Sequence, residues 1–432
     1  MAVMSQRQRL PVHRKASQGS WASRLADVAA YHLPMLLRTE LLRRVPSLYP
    51  TWGMRPVTAG LNITDNCNMR CIMCNSWRSH SANEFTTQEW KDVLGQLRGE
   101  GVRFVGFAGG EPLLRKDLAE LVAYATSLGL RTEVTTSGYL LDEARANALF
   151  AAGLGSVVIS IDGVGEQYEA IRGREWQRVE RACELLSKAH KERTVRVVIG
   201  FVLMKPTLDH VEAVQALSER LGIPLVISLL DASTYLFQLD DNQESFWIRE
   251  EADKRRLAEV QRSLARSREA DGMVRDSFSD IEWFSKYFKD PRQPGLPCTV
   301  SQTRILVDSH GMVFGGCWAM GSYGCLRAQS LRQILRSEPY RAAHRRMFYK
   351  ECPGCSCGFK VSLRYSLPML WRELQLRWSK RLRQTVFGGA GQPAQAATAV
   401  EVRASVPPPV PAVGDDARPN DAQDASLVSE ET

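Results

Sequence analysis

Asn62-Ile63-Thr64-Asp65-Asn66-Cys67-Asn68-Met69-Arg70-Cys71-Ile72-Met73-Cys74 is the stretch on which the reading of this chain turns. It leaves a short β-rich run, Ala59–Thr64, and enters a loop with cysteines at Cys-x3-Cys-x2-Cys spacing. Three thiolates in so tight a loop can hold three irons of a [4Fe–4S] cube, leaving the fourth iron without a protein ligand. Such an open iron can bind a small chelating molecule and pass an electron into it. The spacing is also open to a structural zinc site or to inert buried thiols. Zinc takes four ligands, and the nearby candidate for a fourth, His80, reads rather as an ordinary surface histidine.

Working outward, five more short runs rich in Val, Ile, Phe or Thr follow: Arg103–Ala108, Arg131–Thr136, Ser156–Ile161, Val195–Leu203 and Leu225–Leu229. Helical periods separate them. Trp90, Val93, Leu94 and Leu97 recur at i, i+3, i+4 and i+7, and Val211, Val214, Leu217 and Leu221 form another such face. Strand–helix alternation of this length predicts an α/β fold of parallel βαβ units with right-handed crossovers. Six units favour an open barrel over a flat doubly wound sheet, and chemistry belongs at the C-terminal strand ends in either case.

The chain has 432 residues, 44% hydrophobic and 24% charged, enough for a large core and a smaller unit. Its net charge of +8 permits an acidic partner or a membrane surface, and no nucleic-acid motif accompanies it. No apolar run reaches about 18 residues, so a spanning helix is not expected. Arg7, Arg9, Arg14 and Lys15 are not followed by an apolar signal region, so the thiols are expected in the reducing cytoplasm. Of the ten cysteines, three lie at 67–74 and six between 298 and 357, a bunching that points to metal or redox chemistry. Cys183, beside Val179, Ala182, Leu185 and Leu186, reads as core.

The Cys67–Cys74 segment resembles the radical S-adenosylmethionine (radical SAM) enzymes. The resemblance covers roughly residues 56–230 and implies a partial (βα)6 barrel. It also implies a [4Fe–4S] cluster on Cys67, Cys71 and Cys74, whose open iron takes the methionine end of S-adenosylmethionine and cleaves it to a 5′-deoxyadenosyl radical. Met73 stands where the family commonly has an aromatic residue and can pack on an adenine. Gly109-Gly110-Glu111-Pro112 ends the second run, at the position of the family's motif for the methionine amino group. Ser137 in Thr135-Thr136-Ser137-Gly138, and Ser160 and Asp162 where the fourth run ends, match strand ends that contact methionine and ribose. Tyr168-x3-Arg172-Gly173 resembles a stretch of members with an additional cluster. Arg172 is read either as facing the methionine carboxylate or as a solvated helix-end arginine.

A second set of thiols follows: Cys298, Cys317 after a Gly-containing hairpin, then Cys352-Pro353-Gly354-Cys355-Ser356-Cys357. Four thiolates suit a fully ligated cluster or zinc equally. The order resembles the shortened (twitch) form of the SPASM auxiliary-cluster domain, which implies one auxiliary [4Fe–4S] cluster on Cys298, Cys317, Cys352 and Cys355. Cys357 is a spare or a substitute for Cys355, and Cys325 is not expected to ligate.

The expected organisation is a basic, partly helical extension over 1–55, the barrel over 56–240, a helical connection over 241–297 and a small α+β auxiliary domain over 298–365. A basic amphipathic helix over 366–388 and a disordered tail over 389–432 complete it. Trp371, Leu374, Trp378 and Leu382 share one face of that helix, which either lies on anionic lipid or docks on the barrel. The expected function is hydrogen-atom abstraction from a substrate, with the auxiliary cluster serving oxidation or bond formation. A peptide is the first expectation for the substrate, then a sugar, aminoglycoside or lipid. A flavodoxin or ferredoxin is the expected reducing partner. The reading from another class is a non-catalytic iron–sulfur or zinc interaction protein. No clear acid or base stands out; Asp231 is one of many near the mouth.

Overall fold

The computed structural model describes residues 33–51, 56–78, 81–230, 243–269, 273–275, 281–291, 298, 300–349, 351, 352 and 355. The expected helix at 366–388, the tail, His80, Asp231 and Cys357 lie outside these residues. Helix α1 (Leu33–Arg44) comes first. Strands β1 (Thr58–Thr64), β2 (Phe104–Gly109), β3 (Arg131–Thr136), β4 (Ser156–Ser160), β5 (Arg196–Leu203) and β6 (Leu225–Leu229) follow. Between them lie helices α2 (Thr87–Gly99), α3 (Leu118–Ser127), α4 (Glu143–Ala151), α5 (Glu166–Arg172), α6 (Trp176–Lys191) and α7 (Val211–Leu221). Each strand lies within one residue of its expected bounds.

Strands β1 to β6 pair in parallel in sequence order. A doubly wound sheet would reverse direction at a switch point. Here every crossover steps the same way, so right-handed connections place all the helices on one side and the sheet curves. The burial pattern reads the same way. Leu61, Ile63, Val105, Phe107, Val134, Ile159, Phe201 and Ile227 are buried, and they alternate with half-buried Gly60, Asn62, Gly106, Ala108, Thr135, Ser160, Gly200 and Ser228. Branched and aromatic side chains therefore meet the helices, while small and polar ones line the open side. Helix α2 turns Trp90, Val93, Leu94 and Leu97 inward from a capping box made by Thr86 and Glu89.

After α8 (Glu251–Glu269), β7 (Val274–Arg275), α9 (Phe284–Lys289) and α10 (Val300–Thr303) come β8 (Arg304–Val307), β9 (Met312–Phe314) and β10 (Ser322–Cys325), then α11 (Leu331–Arg336) and α12 (Glu338–Phe348). β7 pairs with the edge of β6, and β8 pairs in parallel with the outer edge of β1, from Thr58↔Arg304 to Leu61↔Val307. β9 and β10 extend the ladder antiparallel, so among the described residues one sheet has ten strands. The β8–β9 turn packs on Phe85, whose N–H donates to the Ser309 carbonyl (2.7 Å). A Cβ on Gly311 would sit 1.9 Å from the Phe85 ring, and Arg327 lies 4.7 Å above that ring. Arg327 also pairs with Glu89 on helix α2, and Arg332 with Glu100 at its C-terminal cap.

Phe85 thus joins the C-terminal strands to the barrel. Phe85→Ala is expected to cost about 3–5 kcal/mol, with unfolding in urea still a single transition. A separate early transition of the C-terminal strands would show that the sheet is not one cooperative unit.

Candidate active site

The cysteine loop begins at the C-terminal end of β1 and is held from three sides. The Glu84 carboxylate accepts from the Thr64 hydroxyl (3.0 Å) and the Asp65 N–H (2.7 Å). The Gly110 and Glu111 N–H groups donate to the carbonyls of Thr64 and Asn66, each at 2.8 Å. A Cβ on Gly110 would stand 2.1 Å from the Asn66 oxygen, and Gly109 has φ +124°. The close backbone approach these glycines permit in the structure is to the cysteine loop itself. The third side is the end of α5. Arg70 N–H donates to the Arg172 carbonyl (3.1 Å), Ile72 N–H to the Ile171 carbonyl (3.0 Å), and Arg174 Nε to the Asn68 carbonyl (2.6 Å). Gly173 adopts φ +68° there, and a Cβ would stand 2.6 Å from Arg70 Cβ.

Cys71 is buried, and Cys67 and Cys74 are half-buried. Burial pushes the Cys67 thiol up to about 12 against a stabilising contact from the Met69 backbone, with the charges of Cys71, Glu111 and Cys74 adding to the rise. Burial raises Cys71 too, although Arg172 opposes it. The mutual influence puts the three thiols in one electrostatic environment. Three cysteine thiols on one short loop are the soft donor set that iron–sulfur clusters take, so the residues present fit a cluster.

Asp162 and Arg172 meet beside these thiols. Asp162 is fully buried, and Arg172 Nη2 lies 2.5 Å from its Oδ2. Asp162 Oδ1 accepts from the Val202 N–H (2.7 Å), and Arg172 Nη1 lies 3.7 Å from Cys71 Sγ. Burial works against the guanidinium charge, but Asp162, then Cys71 and Tyr168, outweigh it and raise the arginine's pKa. Arg172 side-chain exposure of 11% rules out the solvated helix-end reading. Glu111 is buried, accepting from Thr136 Oγ1 (2.7 Å), Ser137 N (2.8 Å), Ser137 Oγ (2.5 Å) and Leu113 N (3.1 Å). Met73 is buried and Ser160 ends β4 on the open side.

In the second set, the Cys298 N–H donates to the Phe348 carbonyl (3.0 Å), four residues before Cys352. Cys317 follows Gly315 and Gly316 at the end of β9. Tyr323 is pushed up to about 12 by burial and then by Cys317. Cys325 pairs with Met312 at the other end of that ladder, its Sγ 3.7 Å from the His310 carbonyl. Cys352 and Cys355 are half-buried, and Cys183 is fully buried in α6. Sequence reasoning missed Glu84, Arg174 and His310. His310 lies on the β8–β9 turn with Nδ1 3.7 Å from Asp65, and it also contacts Ser81. Only the pairing of β8 with β1 brings it there.

Arg172→Met leaves Asp162 buried without its counter-charge and is expected to cost about 3–5 kcal/mol. Combining it with Asp162→Asn should recover part of that loss; chemical denaturation of both variants checks it, and an undiminished loss in the double variant overturns the pairing. With Cys67 raised from the ordinary 9.0 to about 12, its thiolate fraction at pH 8 in metal-free protein falls about a thousandfold below that of a free cysteine. Iodoacetamide should label it far more slowly than in the unfolded chain, and labelling at the unfolded rate would contradict the burial.

Residues 61–217 match the Radical SAM superfamily. The Fe-coproporphyrin III synthase of Methanosarcina barkeri is 33% identical over 167 residues, 38% of this chain and 41% of that protein. The PqqA peptide cyclase of Bradyrhizobium diazoefficiens is 43% identical over 128 residues, 29% of this chain and 33% of that protein. The chain thus spans less than half the length of these relatives in the regions that match. Streptococcus suis SuiB bound to S-adenosylmethionine shares the fold at a TM-score of 0.56 and 16% identity, covering 70% of this chain and 71% of that one. Native anSMEcpe with bound AdoMet and Cp18Cys peptide does so at 0.53 and 18%, covering 69% and 88%. With the cysteine loop, the strand ends around it and the singly wound sheet, these likenesses agree: residues 61–217 form a radical SAM superfamily domain.

Proposed function

We propose that this protein cleaves S-adenosylmethionine reductively at a [4Fe–4S] cluster on Cys67, Cys71 and Cys74 and thereby modifies a peptide. The observation that carries this reading is the loop of three thiols set against the Gly109–Glu111 turn and the end of α5. Bound there, the cluster and S-adenosylmethionine supply a 5′-deoxyadenosyl radical that takes a hydrogen atom from substrate. Cys67, Cys71 and Cys74 hold three irons, and Arg172 places a fixed positive charge beside Cys71. Met73, Gly109, Gly110, Glu111, Ser137, Ser160 and Asp162 surround S-adenosylmethionine at the strand ends. Cys298, Cys317, Cys352 and Cys355 hold an auxiliary cluster within a region spanning 298–365, which serves oxidation or bond formation.

The peptide assignment draws on the PqqA peptide cyclase relative and on the peptide-bound SuiB and anSMEcpe structures. A carboxylated tetrapyrrole is the second candidate, favoured by the coproporphyrin-forming relative. Among the described residues no helix is long and apolar enough to cross a membrane.

Protein purified without oxygen, reconstituted with iron and sulfide and reduced with dithionite is expected to form 5′-deoxyadenosine from S-adenosylmethionine. Cys71→Ala should abolish it. Loss of S-adenosylmethionine binding along with product, in protein that carries a reducible cluster, would overturn the reading.

A further inference from the structure

The structure assigns Arg304, at the start of β8, as the residue that binds a carboxylate of the peptide substrate inside the barrel. This inference rests on the proposed function and names the chemistry by which that peptide is held. Arg304 and Leu306 are alternate residues of β8, beside Thr58 and Gly60 of β1. A Cβ on Gly60 would stand 2.7 Å from Leu306 Cδ2 and 3.1 Å from Arg304 Nη2, so the arginine lies along the open side of the sheet, over Gly60. Its backbone is anchored, because the Val57 N–H (2.8 Å) and the Thr58 hydroxyl (3.2 Å) both donate to the Thr303 carbonyl.

Arg304 is half-buried, yet its guanidinium makes no hydrogen bond or ion pair among the described residues. The half-buried Arg172 and Arg115, by contrast, face Asp162 and Asp117. The acidic side chain on the open side of β1 to β6 is Glu133. It already accepts from Ser156 Oγ (2.7 Å). In the cross-strand row Gly106 stands between it and Gly60, two strand spacings or about 10 Å. Past the end of β8, Asp308 is engaged by the N–H groups of His310 (3.0 Å) and Met312 (2.8 Å). Arg131 and Arg196 share this side at the exposed first residues of β3 and β5.

Glycine inside a strand weakens it and marks a place where something else approaches closely. At Gly60 that something is Arg304 itself. At Gly106 a Cβ would meet the Ala59 carbonyl oxygen at 4.0 Å and nothing nearer among the described residues, so no side chain packs on that glycine. An unpaired guanidinium beside a bare stretch of strand suits a planar anion, because its rigid fork of donors matches a carboxylate with two parallel hydrogen bonds. A carboxylate is the anion a peptide carries. Gly60 lies four residues before the end of β1 at Thr64, about 13 Å along the strand from the cysteine loop. On its other side the Arg304 carbonyl oxygen would stand 2.6 Å from a Cβ on Gly316, next to Cys317. A carboxylate held by Arg304 therefore anchors the peptide between the two sets of thiols, with the reacting carbon within about four extended residues of it.

The test uses the reconstituted full chain with S-adenosylmethionine and three short peptides. They are acetyl-Ala-Glu-Ala-amide, acetyl-Ala-Gln-Ala-amide and acetyl-Ala-Gln-Ala with a free C-terminal carboxylate. Phenylglyoxal modifies reachable arginines, and mass spectrometry reads Arg304 by itself. Arg304 is expected to be modified, and the glutamate peptide to slow that modification about fivefold at millimolar concentration, with no slowing by the glutamine amide. Slowing by the free-acid peptide alone assigns the C-terminal carboxylate of a peptide in place of a side chain. In Arg304→Met the glutamate peptide should bind about tenfold more weakly, with Arg304→Lys in between. The urea midpoint of Arg304→Met should stay unchanged, because no partner within the protein is lost. Equal protection by glutamate and glutamine amides, protection by neither acid, an arginine that phenylglyoxal does not reach, or a lowered urea midpoint overturns the assignment. Protection by coproporphyrin III alone overturns it too and moves the site to a tetrapyrrole. Selective protection in protein that forms no 5′-deoxyadenosine with dithionite would keep the carboxylate site and overturn the proposed function. Formation of 5′-deoxyadenosine without selective protection would do the reverse.

Discussion

The ion pair between Arg172 and Asp162 is the constraint around which the candidate site is arranged. Taking two opposite charges out of water costs several kcal/mol per ion unless geometry and further hydrogen bonds compensate. Here Asp162 is held by the Val202 N–H from β5, and Arg172 is fixed at the end of α5. The same residue that buries its guanidinium also presents its carbonyl to the cysteine loop. Strand end, helix end and loop are therefore positioned by one residue, and Cys71 lies against its side chain.

That arrangement explains why the loop needs no regular structure of its own. Backbone groups from Asn66 to Ile72 find partners on the turn after β2, on α5 and on the turn before α6, so the loop is ordered by its neighbours. Where backbones come this close, side chains are excluded, and Gly110 and Gly173 stand at two such contacts. Burial raises the Cys67 and Cys71 thiols, so loading them with iron releases protons and is pH-dependent.

The barrel was legible because it is written in local patterns. Alternation within strands, helical periods between them and turn residues at the ends require only neighbours in sequence. The cysteine spacing was legible for the same reason. What did not show was anything that depends on distant segments meeting. Asp162 and Arg172 were both singled out, but hydropathy carries no sign that one buried charge is matched by another. Glu84 and Arg174 read as ordinary surface residues, since their partners are backbone groups of the loop. The addition of β8 to the edge of β1 has no local signature, because a four-residue apolar run does not name its partner. The roles of Met73 and Ser160 toward a ligand belong to the same non-local class.

The edge of β1 carries a further consequence for how this protein is made. The Thr58 hydroxyl bonds the Thr303 carbonyl across 245 residues of chain. During synthesis β1 to β6 can pair and collapse while that edge still shows a row of unmatched backbone groups. Such an edge is a template for foreign strands. Long-range pairings also close late, after the loop entropy has been overcome. The interval between emergence of the barrel and arrival of β8 is thus the stage at which a nascent chain is most exposed to misassociation.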